Sequence, residues 1–358
     1  MARRSAPPPR PRRSGGLLSI LFSLAFMAAA AAVLGALWFV VDTSRPGPST
    51  EPAAFMVERG ASAAAIGQAL EEQHLIRSAL MFRLASRAYA DGRGLQAGEY
   101  QIPAGAPLRE IVRMMADGEA LMHAITFPEG ITIAAAMRII EQSDVLTGDM
   151  PEAPPEGSIL PDTYHIQRGM TRAALLQLMR EAHDRAVAEI WANRAPNLPI
   201  TTPEQLVNLA SIVERETGVP EERPMVAAVF INRLRVPMRL ETDPTIIYGV
   251  CLRHPDRCND GRLVNAQGQR RTIRASEIAL DTGYNTYRID GLPPTPISNP
   301  GRAALEATAN PAQSDALFFV ADGTGGHIFA RTLAEHNANV ARWREIEAQR
   351  LAQQRAAP

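Results

Sequence analysis

The sequence predicts an α+β protein that is held to a membrane by one N-terminal helix. Three observations support this prediction: a long uncharged apolar segment near the N-terminus, alternating strand and helix patterns after residue 55, and a mixture of helices and short strands after residue 200. The 358 residues suffice for two modest domains and an anchor. The formal net charge of −1 creates no field that would attract nucleic acid, so we expect no nucleic-acid partner.

Residues 17–41 predict a transmembrane helix, because they contain no charge and only two serines as polar side chains. A helix of 25 residues spans about 37 Å, which exceeds the ~30 Å hydrocarbon core. The preceding residues 1–16 form a basic tail without acidic residues, which predicts a single-pass inner-membrane protein with a cytoplasmic N-terminus and a periplasmic remainder. A cleaved signal peptide is the competing interpretation, although its apolar core usually has only about 7 to 15 residues.

The first part behind the anchor is predicted as a stalk followed by a small module. Residues 42–54 are rich in Pro, which is typical of a stiff segment that does not pack. Residues 55–122 then show a short strand, two helices, a strand that follows LQAG, and a helix that begins after Pro107 and ends at Gly118. This order of elements is similar to LysM-type modules that bind cell walls, although no polar signature marks a binding site.

Residues 123–200 are predicted as a connecting α+β region. HAITFPEG opens it, a Pro- and Gly-rich segment from residue 152 to 169 has the composition of a loop, and a long amphipathic helix follows. Residues 201–345 are the densest in signals and form the predicted catalytic domain, before a C-terminal tail at 346–358.

Within 201–345 the patterns predict two helices followed by loops and short strands. The first helix covers 203–218, with Thr202 as its N-cap, and the second follows Pro220. The segments LETDPTIIYGV and LDTGYNTYRIDGLPPTPISNPG are interpreted as loops with short strands. In ALFFVADGTGGHIFA, residues 317–320 predict a clearly buried strand that turns back as a hairpin.

The helix at 203–218 carries the strongest candidate for chemistry. Leu206, Leu209, Ala210 and Val213 share one helical face, and Glu216 lies on the same side at the end of the helix. Burial beside an apolar face would raise the pKa of this carboxyl, as a general acid requires. The alternative is a surface glutamate that pairs with an arginine, and the helical pattern alone favours that alternative. Glu214 is expected on the flank of the face, and Arg215 in water.

Weaker candidates lie after this helix. Asp243 precedes a proline, where an aspartate commonly caps a turn. Tyr284, Asn285, Thr286 and Tyr287 combine aromatic rings with hydrogen-bonding groups, a composition that suits a sugar site and an ordinary polar loop equally. The histidines have no metal-ligand spacing, and no phosphate-binding loop or nucleophile motif is found, so we expect no metal and no cofactor.

Cys251 and Cys258 are the two cysteines of the chain. Only His254 lies close enough in sequence to join them, so a zinc site lacks ligands. A disulfide that closes a small loop is expected if this part is exported, and free thiols are the alternative.

Several longer motifs, taken together, resemble the YceG-like endolytic murein transglycosylases (MltG). The matching segments are GSILPDTY, LASIVERETG, ERPMVAAVFINRLRVPMRLETDPTIIYG, YNTYRIDGLPPTPISNPG, ADGTGGHIFA and LQAGEY. With the anchor, the resemblance extends from residue 17 to about 345. The chain departs from the family pattern mainly around CLRHPDRCNDGRLVNAQGQRR, which is longer than usual.

The resemblance implies an activity and a site. Glu216, the second Glu of the ERET motif, corresponds to the catalytic acid, and the reaction is cleavage of the MurNAc-β-1,4-GlcNAc bond within a strand, leaving a 1,6-anhydro-MurNAc end. Asp243, Tyr284, Asn285, Thr286, Tyr287 and Glu214 are then the candidates for sugar binding. Peptidoglycan glycan strands are the implied substrate, and cell-wall synthases are the suggested class of protein partner. A non-catalytic wall-binding scaffold and a hydrolytic muramidase with Asp243 as second carboxylate are the rival functions.

Overall fold

The computed structural model describes residues 16–356 and divides the chain into two compact units at Met122 and His123. The basic tail at 1–16 therefore lies outside the described residues, except for Gly16. The elements of the first unit are α1 (Gly16–Ser44), β1 (Ala53–Val57), α2 (Ala63–Glu72), α3 (Ala79–Tyr89), β2 (Gly98–Ile102) and α4 (Leu108–Asp117).

Helix α1 contains the predicted transmembrane segment. The span Ser19–Ser44 has a mean hydropathy of 2.4 and none of its most apolar window is buried in the protein. In length and composition it is compatible with a single-pass membrane anchor. Its last turns are different, because Thr43 is fully buried and its hydroxyl lies 2.9 Å from the hydroxyl of Tyr89. The ring of Tyr89 also stacks on Phe39.

The segment predicted as an unpacked stalk is packed. The Gly47 amide donates to the carbonyl of Gly105, and the Gly105 amide donates to the carbonyl of Ser49. A Cβ at Gly47 would lie 2.6 Å from the carbonyl oxygen of Ala106, so only glycine permits this close approach. The prediction of a free stalk was wrong because it rested on Pro content and missed this backbone pairing.

The rest of the first unit has the predicted order of elements. Strands β1 and β2 pair antiparallel, with Phe55 opposite Tyr100. The two rings point into a core with Phe82 and Ile111, and Tyr100 satisfies its hydroxyl by donating to the carbonyl of Gln96. Helix α4 ends at Asp117, and the left-handed conformation of its C-cap Gly118 accounts for the stop that the sequence predicted.

The second unit is mainly helical, with small two-stranded sheets. Its elements are β3 (Met122–Thr126), α5 (Ile133–Gln142), β4 (Leu146–Thr147), β5 (Thr163–Gln167), β6 (Met170–Thr171), α6 (Arg172–Ala192), α7 (Pro203–Glu216), α8 (Arg223–Arg235), α9 (Asp243–Arg253), β7 (Cys258–Asn259), β8 (Arg262–Leu263), α10 (Ala275–Ile278), α11 (Arg302–Ala309), β9 (Phe318–Ala321), β10 (His327–Ala330) and α12 (Leu333–Ala356).

The predicted connecting region and catalytic domain share this unit. Val187 and Ile190 of α6 belong to the same core as Leu206 of α7 and Phe230 of α8. Strand β5 lies inside the Pro- and Gly-rich segment that was interpreted as a loop, and it pairs with β3. The C-terminal tail is helical, because α12 continues to Ala356.

Two predictions for the last third were wrong in part. Residues 243–253 form α9 instead of a loop with a short strand, because Pro244 in the first turn favours a helix start and the buried residues recur at helical spacing. The hairpin of β9 and β10 is confirmed, with Phe319 opposite Phe329. Its first strand contacts α12 and is half-buried instead of clearly buried.

A disulfide joins Cys251 at the end of α9 to Cys258 in β7. We therefore expect neither cysteine to react with iodoacetamide in denatured, unreduced protein, and both to react after reduction, as measured by intact mass. Alkylation of both thiols without reductant would contradict the pairing.

Candidate active site

Glu216 is the last residue of α7, a helix that is almost entirely enclosed. Thr202 caps the helix by accepting from the amide of Gln205, as the sequence predicted. Every residue from 206 to 213 is buried, so the helix has no solvent-exposed face in this part. The sequence predicted one buried face, whereas the structure buries the helix on all sides. Glu216 lies beyond this enclosed part, in a half-buried position.

Thr242 is the direct partner of Glu216. Its hydroxyl donates to Oε2 of the carboxyl over 2.6 Å, and the residue itself is 1% exposed. Its backbone amide donates to the hydroxyl of Thr286, which lies 2.9 Å from the hydroxyl of Thr245. Thr245 in turn donates to the carbonyl of Thr242. This closed network of three buried threonines fixes the hydroxyl that faces Glu216.

Asp243 and Tyr287 form a second pair beside Glu216. The Tyr287 hydroxyl donates to Oδ1 of Asp243 over 3.0 Å. Burial and the neighbouring Asp243 carboxylate raise the pKa of Tyr287, so the hydroxyl keeps its proton and remains a donor.

The surroundings of Glu216 shift its protonation. Burial raises the pKa of the Glu216 carboxyl to about 7. The hydrogen bond from Thr242 opposes this shift, whereas the negative charge of Asp243 adds to it. The nearby side chains of His327 and Arg233 also lower the pKa. Desolvation is the largest of these effects, so the carboxyl is substantially protonated near neutral pH.

Glu214 has a different environment although it lies two residues away. Its carboxylate pairs with Arg223 over 3.1 Å and accepts the amide of Gly301 over 3.0 Å. Burial raises the pKa of Glu214, and both of these contacts oppose the rise by stabilising the charged form. Arg215 does not extend into water as expected, because its guanidinium donates to the carbonyls of Gly130 and Gly261.

Two of the predicted sugar-binding residues are engaged within the protein. Asn285 is fully buried; its side-chain amide donates to the carbonyls of Ile278 and Leu280, and its oxygen accepts the amide of Tyr287. Thr286 is fully buried in the threonine network. These two residues position Tyr287 and Thr242, and neither presents a free polar atom.

Tyr284 lies apart from the group around Glu216. Its ring meets Tyr248 edge to face, and its hydroxyl lies 2.8 Å from the hydroxyl of Thr295. The structure therefore brings together Glu216, Asp243 and Tyr287 from the predicted set, with Thr286 linked through Thr242.

The sequence did not single out Thr242 or Glu222. Glu222 accepts both the backbone amide and the ring Nδ1–H of His327, each over 2.7 Å, and it also receives the hydroxyl of Thr217. His327 is thereby fixed near Glu216. The sequence signal that could have identified Thr242 is its position in the long matching motif, directly before the candidate sugar-binding residue Asp243.

Glu216 opens into a cleft of about 960 Å³. Asp243, Glu214 and Glu129 line it with Glu216, and the segment after Cys258 contributes Arg262, Arg270 and Ile273. Among residues 16–356, no three His, Cys, Asp or Glu side chains are arranged to hold a metal ion. The cleft therefore offers four carboxyl groups, of which that of Glu216 is substantially protonated near neutral pH, and several guanidinium groups.

Comparisons with known proteins converge on one family. A family model described as the YceG-like family matches residues 55–342. The chain is 28% identical over 312 residues to an endolytic murein transglycosylase of Bacillus subtilis, covering 78% of this chain and 82% of that protein. It is 26% identical over 336 residues to an endolytic murein transglycosylase of Streptococcus pneumoniae, covering 80% of this chain but 57% of that longer protein.

A solved structure is also similar. A YceG-like protein from Listeria monocytogenes is 27% identical, and the alignment covers 81% of this chain and 99% of that chain with a TM-score of 0.48.

The raised pKa of Glu216 predicts a pH-dependent stability difference between the wild type and Glu216→Gln. A carboxyl whose pKa rises from 4.5 to about 7 on folding contributes stability below pH 4.5 that is lost as the pH rises through 7. Glutamine does not titrate. Relative to the wild type, the variant should therefore gain about 2 kcal/mol in free energy of unfolding between pH 4.5 and pH 8, allowing for its partial exposure.

Denaturant titrations at these two pH values measure this gain. Glu204→Gln is the matched control, because Glu204 is exposed in the first turn of the same helix and should show no such gain. Parallel pH dependence of the wild type and Glu216→Gln would contradict the raised pKa.

Proposed function

Since the chain belongs to the YceG-like family, we propose that it is an endolytic murein transglycosylase, a lyase in which Glu216 is the proton donor. The observation that carries the assignment is the half-buried Glu216 carboxyl with a pKa of about 7, held by Thr242 at the edge of a cleft. The curated relatives named above support the activity.

The first step is protonation of the glycosidic oxygen. Glu216 delivers its proton to the oxygen between MurNAc and GlcNAc as the C1–O bond breaks and C1 acquires oxocarbenium character. A carboxyl with a pKa near the operating pH is well suited to this step, since it is largely protonated yet still a competent acid.

The second step closes the anhydro ring. Glu216, now a carboxylate, accepts the proton of the MurNAc C6 hydroxyl while that oxygen bonds to C1. The proton given in the first step is thus recovered in the second, and no water is consumed. This differs from most glycoside hydrolases, which use two carboxylates and a water molecule.

Asp243 is proposed to stabilise the positive charge that develops at the sugar. It lies near Glu216, since its charge raises the Glu216 pKa, and Tyr287 holds its carboxylate by a hydrogen bond. A fixed carboxylate in a partly dehydrated cleft stabilises a nearby oxocarbenium more strongly than it would in water. Tyr287 and Thr286 are assigned as positioning residues for this pair and for Thr242.

The remaining parts set the location of the enzyme. We assign residues 55–122 as a LysM-like module that contacts glycan, which the β-α-α-β order of its first four elements supports.

We place the chain in the inner membrane by α1, with residues 1–16 cytoplasmic and the rest periplasmic. The basic tail and the disulfide support this orientation. Cell-wall synthases that elongate strands at the same membrane are the proposed partners.

The catalytic assignment predicts that Glu216→Gln stays folded but loses at least about 10²-fold in rate of anhydro-muropeptide release, because glutamine cannot deliver a proton. Mass spectrometry of digested glycan strands measures the product. Wild-type activity should also decline as the pH rises through about 7. Glu204→Gln is the control and should retain wild-type activity, since it is exposed at the opposite end of α7.

The same digests separate the rival functions. A hydrolytic muramidase would release reducing ends, and a wall-binding scaffold would release nothing. If folded Glu216→Gln produced anhydro ends at near the wild-type rate, the assignment would be wrong, and Glu214 would become the next residue to test.

The anchor assignment predicts that the full-length protein sediments with inner membranes and resists extraction by high salt or alkaline carbonate. The control is a variant with Leu24→Arg and Leu34→Arg, since two charges in the exposed apolar run oppose insertion by several kcal/mol. This variant should be lost from the membrane fraction. Recovery of a soluble wild-type form that begins after about residue 36 would show cleavage and contradict the anchor.

A further inference from the structure

One wall of the cleft is built by residues of the segment from Cys251 to Glu277. Its contributions to the cleft are Arg262, Leu263, Arg270, Arg271, Thr272 and Ile273. Three of these six residues are arginines, so the wall is strongly basic although the whole chain has a net charge near zero.

The segment is braced, so these arginines have defined positions. The disulfide closes its start, and β7 and β8 pair antiparallel directly behind it. Leu263 next to Arg262 is 1% exposed and packs against α9. The backbones of Arg270 and Val264 form an antiparallel β-bridge. In the turn between them, the side-chain oxygen of Asn265 accepts hydrogen bonds from two backbone amides.

Arg271 is already neutralised. Its guanidinium makes a bidentate pair with Glu277 at 2.7 and 2.8 Å. Glu277 is buried, and its second role is to accept the backbone amide of Arg274, so it has no capacity left for another arginine. This arginine therefore has a structural role.

Arg262 and Arg270 are not neutralised. Both are exposed to the cleft, and no carboxylate in the part of the chain that the structure describes pairs with either. Both lie close to Arg215, whose guanidinium is held by two carbonyls: burial lowers the pKa of Arg215, and the charges of Arg262 and Arg270 lower it further. Two unpaired guanidinium groups next to a third form a local cluster of positive charge on this wall, which a bound anion would stabilise.

From this arrangement we infer that Arg262 and Arg270 bind carboxylates of the peptide stems on the glycan strand. The inference rests on the proposed function. The N-acetylated sugars of a peptide-bearing murein strand carry no charge, whereas the peptide stems carry free carboxylates. The planar guanidinium group of an arginine can bind a carboxylate through two parallel hydrogen bonds. A strand lying along the cleft past Glu216 would then be selected for peptide-bearing units.

The experiment compares full-length wild type with Arg262→Gln/Arg270→Gln on two substrates. One is lipid-free glycan strands with intact peptide stems, and the other is the same strands after conversion of the stem carboxylates to carboxamides. On native strands, KM of the double variant should rise about 5- to 10-fold with kcat little changed, because two exposed charge pairs are lost. On amidated strands, the KM of the wild type should rise to the value that the double variant has on native strands. The KM of the double variant should be the same on both substrates.

Arg257→Gln is the matched control, because Arg257 belongs to the same segment, is exposed and does not line the cleft. It should keep the wild-type KM on native strands. Because the strands contain no lipid diphosphate, a KM effect on them cannot come from a phosphate group.

Two results would overturn the inference. One is a double variant with the wild-type KM on native strands, and the other is a KM of the double variant that exceeds the wild-type KM by the same factor on both substrates. Either would leave the proposed function intact if wild-type protein still releases anhydro ends. If the wild type releases none, the proposed function fails, and the affinity of both proteins for the two strands, measured by fluorescence anisotropy, still decides whether the arginines recognise carboxylates.

Discussion

The structure around the cleft depends on keeping one carboxyl partly desolvated at the end of a buried helix. Helix α7 is enclosed from residue 206 to 213, so its direction is fixed by packing on every side and Glu216 emerges at one defined place. A desolvated carboxyl needs a donor, and Thr242 supplies it. The threonine network, the turn before α9 and the loop that carries Tyr287 are all organised around that one hydroxyl.

A second buried carboxyl ties the neighbouring region to the same frame. Glu156 accepts the amide of Ile133 at the start of α5 and the side-chain amide of Asn299, each over 2.9 Å. Burial raises the pKa of Glu156 to about 7, so much of its population is neutral near neutral pH. Asn299 also donates to the carbonyl of Ile131. Residues 123–170 are therefore part of the support for the site, which explains why one compact unit replaces the two regions expected from sequence.

The sequence predicted most helices and the position of Glu216, because apolar spacing, an N-cap and a long motif are all local signals. It failed where long-range contacts decide the outcome. Thr242 and Thr286 are 44 residues apart, so their pairing leaves no periodic pattern. Asn285 has the composition of a sugar ligand, yet its polar atoms are used by the backbone of its own loop. Arg215 looked solvent-exposed because the carbonyls that it contacts come from distant segments.

Two carboxyls on one helix end thus acquire different tasks from their partners. Glu214 has a guanidinium and a backbone amide, both of which stabilise its charged form. Burial is the largest effect on both pKa values, and at Glu216, whose hydrogen-bond partner is a neutral hydroxyl, it raises the pKa to about 7. That hydroxyl also suits a residue that must act first as an acid and then as a base. A hydroxyl can donate to a carboxylate or accept from a carboxylic acid, so Thr242 can remain bonded to Glu216 in both states.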